Sequence, residues 1–110
     1  MNNRDKQVIK KMLSEIEVIE QLITGFEVAD FIADERTKRA VCMTLINIGE
    51  LVKIISDDFK AVSNSVPWKS IAGMRDVTAH KYQTLKMGDV WHTVKHDMPV
   101  LKAQLANIIK

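Results

Sequence analysis

Apolar residues in this chain recur every third or fourth position along three long stretches, and no stretch sustains a strict apolar/polar alternation. Spacing of three and four gathers side chains on one face of a helix, whereas a half-buried strand needs a period of two. The first stretch, from Arg4 to Phe26, carries Ile9, Met12, Leu13, Ile16, Ile19, Ile23 and Phe26. The second carries Val41, Leu45, Ile48, Val52 and Ile55, the seam by which one helix lies along another. The third carries Val90, Trp91, Val94, Met98, Leu101, Leu105 and Ile108. Four glycines and two prolines in 110 residues leave too few turns for a sandwich or a barrel. The expected fold is all-α, an up-and-down bundle of four to five helices forming one domain over residues 1–110.

Local signals set the expected boundaries. Gly25 stands where the first helix must turn out through a left-handed conformation. A short helical piece follows from Val28 to Ala33, and Asp34 is suited to cap the second long helix, which runs to about Ser56. Asp57-Asp58 and Ser63-Asn64-Ser65 read as a polar connection. Pro67 fits a helix's first turn, so a shorter helix is expected from Trp68 to Tyr82, with Gly73 inside it marking close backbone packing or a local break. Pro99 removes a hydrogen bond from the last helix and predicts a kink or break just before it.

The chain has one cysteine, so no disulfide framework within it is possible. No apolar run is long enough to cross a membrane, and Met1 to Lys6 lead into a charged segment rather than a signal-peptide core. These features predict a cytoplasmic protein with no membrane attachment. The formal charge of +2 conceals an asymmetry. Residues 1–30 hold four basic and six acidic side chains, residues 31–60 five of each, and residues 61–110 seven basic against three acidic. All three histidines, His80, His92 and His96, also lie in that basic last part, where a polyanion would bind.

The densest polar group is Arg75-Asp76-Val77-Thr78-Ala79-His80-Lys81-Tyr82. An arginine fork matches phosphate oxygens and an imidazole exchanges a proton near neutral pH, a pairing suited to attack of a ribose 2′-hydroxyl on its own phosphate. On one ideal helix Arg75 and Tyr82 point the same way and Asp76 shares a face with His80, but Arg75 and His80 diverge by about 140°. Their convergence requires Arg75's reach, a distorted helix, or a cleft formed with another subunit. The same residues also suit a structural role, with Arg75 and Asp76 in surface ion pairs and His80 and Tyr82 at the edge of the core.

Ile71 to Asp76 together with His80-Lys81-Tyr82 resembles the Arg-x4-His-x-Tyr signature of HepT-like proteins, a branch of the HEPN (higher eukaryotes and prokaryotes nucleotide-binding) superfamily. Trp68, Val90-Trp91, Asp97 to Leu101, and Ala40 to Glu50 resemble the family pattern as well. The resemblance implies a homodimeric, all-helical ribonuclease toxin encoded beside a nucleotidyltransferase antitoxin, with RNA as substrate. Carried over by position, Arg75 and His80 form the catalytic pair and Asp76 supports them, although many relatives have asparagine there. Tyr82 would receive adenylate from the antitoxin and so silence the enzyme. His80 would act as base toward the 2′-hydroxyl or as acid toward the leaving oxygen, while Arg75 stabilises the phosphate charge. Because the substrate supplies the nucleophile, this endonuclease chemistry calls for no metal and no cofactor. The alternative reading is a catalytically inactive helical module that binds a nucleotide or a nucleotidyltransferase partner through the same surface.

Other candidates are weaker. His92 and His96 share a helical face but bring no third metal ligand. Cys42 sits beside the seam as a core thiol, and Trp68 and Trp91 read as packing residues.

Overall fold

In the computed structural model, residues 1–76 and 79–110 are described, the side chains of Ala79 and His80 excepted. Asn2 starts the chain's first helix, its side chain accepting from the amide of Asp5 at 2.7 Å. Helix α1 then runs over Asn3–Leu22 and ends at Gly25, whose φ of +78° is the left-handed turn expected there. The short α2, Val28–Ala33, is pinned at its start by the Asp30 carboxylate, which accepts from the Glu27 amide at 2.8 Å. Asp34 caps α3, Glu35–Ile54, through the amide of Thr37 at 3.2 Å.

The seams of α1 and α3 lie against each other and form the centre of the core. Ile9, Met12, Ile16, Val41, Ile48 and Val52 are fully enclosed, and each such side chain contributes about 1.5–3 kcal/mol of apolar transfer. The C-terminal rod closes this core through Val90, Val94, Met98, Leu101 and Leu105. The described residues are helical and carry no strand, which is the all-α bundle the spacing predicts. Among them, no helix is long and apolar enough to cross a membrane.

Three local features differ from, or refine, the sequence reading. The polar connection after α3 contains a helix of its own, α4, Asp57–Val62. Ser56 caps it by accepting from the amide of Phe59, and Asp57 and Asp58 lie in its first turn, where carboxylates favour the positive end of the helix. The single helix expected over Trp68 to Tyr82 is divided. Helix α5, Trp68–Ala72, tightens into a 3₁₀ turn over Gly73–Asp76, and α6 occupies Ala79–Tyr82. Gly73 marks the change, and since a Cβ there would meet nothing within 4 Å, the local break rather than close packing accounts for it.

The predicted irregularity before Pro99 is a turn of π-helix. Helix α7, Met87–His92, passes through the π turn Thr93–Asp97 into α8, Met98–Ile108. The wider turn keeps the rod continuous where the proline ring would crowd the preceding carbonyls. It also lets the two halves of the rod address different neighbours. Helix α7 packs on α2, with Phe31 and Trp91 rings 5.3 Å apart, whereas α8 packs on α1. Trp68 is buried, its Nε1 donating to the Ser63 carbonyl at 3.0 Å, and Cys42 is a buried thiol, as expected for packing residues.

Candidate functional site

The 3₁₀ turn that carries Arg75 rests directly on the backbone of α3, and the residue that allows this is Gly49. A Cβ at Gly49 would stand 2.6 Å from the Arg75 nitrogen and 3.1 Å from the carbonyl oxygens of Ile71 and Ala72. No real side chain tolerates the shortest of these distances, so glycine is what lets α5 and the turn close onto α3. Periodicity does not disclose this residue, because Gly49 interrupts no helix and its partner is more than twenty positions away.

From that anchored backbone the Arg75 side chain reaches outward. It is 43% exposed, and Nη1 lies 4.0 Å from Glu50 Oε1, at the outer limit of an ion pair. Contacts this loose between exposed groups contribute about 0–1 kcal/mol, so Glu50 holds the guanidinium only weakly. Asp76, next in the same turn, is exposed as well. The backbone of His80 lies in α6, and its side chain lies outside the described residues.

Tyr82 occupies the other end of the site. Its hydroxyl donates to Glu35 Oε2, and the Arg39 guanidinium carbon lies 4.8 Å from the ring centroid. Burial, followed by the hydrogen bond and charge of Glu35, pushes the phenol up to about 12, with Arg39 opposing. Glu35 moves the other way. The Tyr82 hydrogen bond first, and then Lys38 and Arg39, outweigh its partial desolvation and hold its carboxyl below the ordinary value. Glu35 is a second residue that the sequence reading passed over, because on α3 it looks like an ordinary first-turn carboxylate.

Arg75 and Tyr82 therefore do not share a face, as one straight helix would require. Arg75 meets α3 at Gly49 and Glu50 and Tyr82 meets it at Glu35. Fifteen residues of helix, about 22 Å along the axis, separate Glu35 from Glu50. Arg75 belongs to the 3₁₀ turn and Tyr82 to the separate helix α6, so the two are not on one continuous helix.

The surface beside Arg75 is an open groove between α1 and α3, with a volume of about 700 Å³, bordered by Lys11, Asn47, Glu50, Leu51 and Ile54. Along the outer side of α3, Met43 and Ile54 are exposed at 56% and 43% and stand on one stripe with Asn47 and Glu50. On the C-terminal rod, the rings of His92 and His96 lie 4.4 Å apart within and beside the π turn. Among the described residues, no group of three His, Cys, Asp or Glu side chains is placed to hold a metal.

Comparison with known proteins adds to this geometry. Residues 12–108 match the family described as "Ribonuclease HepT-like". The "Probable ribonuclease HepT" of Thermococcus cleftensis is 34% identical over 110 residues, covering 100% of both chains. A "Putative RNase" of Caldanaerobacter subterraneus is 33% identical over 93% of this chain and 91% of its own length. Another of the same description, from Methanocaldococcus jannaschii, is 36% identical over 96% of this chain and 90% of its own. No solved structure matches the chain.

Proposed function

The chain belongs to the HepT-like ribonuclease family of the HEPN superfamily, and from that premise we propose that it is a metal-independent RNA endonuclease, the toxin of a pair with a nucleotidyltransferase antitoxin. The observation that carries the reading is the exposed, weakly paired Arg75, set on α3 by Gly49 at the first position of the family signature. Arg75 takes the phosphate of the scissile bond. His80 removes the proton from the 2′-hydroxyl, the 2′-oxygen attacks phosphorus, and the bond to the 5′-oxygen breaks. The products are a 2′,3′-cyclic phosphate and a 5′-hydroxyl, the second requiring a proton from His80 or from water. Asp76 supports the pair from the 3₁₀ turn.

The active unit is a homodimer. The stripe of Met43 and Ile54 beside Arg75 supports this reading, because a second copy on that face covers exposed apolar surface and brings two Arg75 side chains toward one cleft. Two basic C-terminal regions are then pooled, which supplies the field for RNA that a net charge of +2 lacks.

Silencing acts through Tyr82, the acceptor of adenylate. At about 22 Å along α3 from Glu50, an adenylate does not sit directly on the same chain's Arg75. It acts locally instead. The modified oxygen has no proton to give Glu35, and its phosphate brings a negative charge against that carboxylate, so the tie between α6 and α3 is lost. His80 is on α6 and moves with it.

Cleavage of RNA by the purified chain, compared with His80→Ala, tests the reading. A loss of about 10²- to 10⁴-fold is expected for a missing acid or base. Equal cleavage by both would remove His80 from the mechanism, and no cleavage by either would leave a helical module that binds a nucleotide or its partner.

A further inference from the structure

The Tyr82 end of the site is organised around one carboxylate. Besides the hydroxyl of Tyr82, Glu35 Oε2 has Arg39 Nε at 3.1 Å, and Oε1 has Lys38 Nζ at 3.5 Å. Glu35 is 56% exposed, so such pairs add little to stability. What they achieve is chemical. An ionised carboxylate sits in contact with the one tyrosine hydroxyl in the chain, with two cations fixing its orientation.

We propose that Glu35 is the general base for the adenylylation of Tyr82, supplied by the modified protein itself rather than by the modifying enzyme. This rests on the reading of Tyr82 as the acceptor. In the step, Tyr82 Oη attacks the α-phosphorus of an ATP held by the nucleotidyltransferase. The bond from that phosphorus to the bridging oxygen breaks, pyrophosphate leaves with the electron pair, and the phenolic proton passes to Glu35. Carboxylates accept hydroxyl protons in this way in kinases, where the hydroxyl becomes acidic only as its oxygen bonds to phosphorus.

A base is needed because the phenol does not ionise beforehand. Its acidity is suppressed by burial and by Glu35, so attack by a preformed phenolate is negligible near neutral pH. The Tyr82 hydrogen bond first, and then Lys38 and Arg39, keep Glu35 ionised, and the Arg39 guanidinium over the ring is within reach of the phosphate as it arrives.

The test uses the full chain, the neighbouring nucleotidyltransferase and ATP, with adenylate addition followed by intact mass over time. Glu35→Gln keeps an oxygen that accepts from Tyr82 but cannot take its proton. A fall in kcat of about 10²- to 10⁴-fold is expected, with KM for the chain and its thermal midpoint unchanged and with part of the rate restored in Glu35→Asp. Parental kcat in Glu35→Gln overturns the proposal, as does a change confined to KM, which would make Glu35 a docking residue. If the parent and Tyr82→Phe gain adenylate equally, the acceptor reading itself fails and takes this proposal with it.

Discussion

Gly49 and Arg75 are in backbone contact across two helical segments: the position of a Cβ on Gly49 is 2.6 Å from the nitrogen of Arg75. The turn bearing the arginine is held by the absence of a side chain, and a methyl group at position 49 has to move it. Alanine gains about 1 kcal/mol of helix propensity over glycine, but overpacking against backbone costs about 1–3 kcal/mol. Gly49→Ala is therefore expected to lose about 1 kcal/mol of stability in denaturant titration. Its cleavage of RNA is expected to fall by more than tenfold, because Arg75 is displaced. A more stable chain with parental cleavage would show that this contact does not position the arginine.

Arg75→Lys keeps the charge and loses the fork. A lysine offers a point charge where a phosphate in the transition state is gripped by two parallel donors. Cleavage is expected to drop by about 10²-fold, equivalent to about 2.7 kcal/mol of transition-state stabilisation, with RNA binding nearly retained in a filter or polarisation assay. If binding falls as much as cleavage, the arginine serves the ground state alone.

Ile54→Glu places a charge on the outer stripe of α3, away from the enclosed core. Sedimentation should find a dimer for the parent and a monomer for the variant, with helical content unchanged by circular dichroism. RNA cleavage should disappear with the dimer. An active monomer would locate the whole site within one chain.

Much of this architecture can be read in the sequence where the determinants are local. Val28–Ala33 is correctly bounded because Gly25 and Asp34 punctuate the chain within a few residues of it. The helix at Asp57–Val62 escapes notice because its cap and first-turn carboxylates, Ser56, Asp57 and Asp58, are also the residues that mark a loop. Gly49 and Glu35 are harder still. Each looks ordinary among its neighbours, and each acquires its role from a residue brought near only by folding, Arg75 for one and Tyr82 for the other. The motif names Arg75 and Tyr82, and Gly73 signals a break, but the residues of α3 that each one meets are set by folding and not by spacing.

Asp5 is the enclosed carboxylate of the fold, only 1% exposed. It accepts from Ser56 twice, from the amide at 2.9 Å and from the hydroxyl at 2.7 Å. Burial opposes its charge, yet the side-chain and backbone hydrogen bonds from Ser56 prevail and hold its pKa below 3.8. A depressed carboxyl pKa stabilises the fold fully above the unfolded value, and that contribution is lost as pH falls through the folded one. Asp5→Asn should lose about 2 kcal/mol near neutral pH, the scale of hydrogen bonds to a charged group. The difference from the parent should shrink as the pH is lowered below 3.8. A difference that stays constant down to that range would mean that packing, not charge, makes the tie.

That tie has a consequence for where the folded unit begins. The family model matches residues 12–108, and Asp5 precedes that span. A truncated chain cut to the matched span would keep the α3 seam and the Arg75 to Tyr82 motif, but it would lose the first half of α1 with the enclosed Ile9, and Ser56 would lose both bonds to the carboxylate that fixes the corner between α3 and α4. The border of the family match and the border of the packed bundle are thus several residues apart.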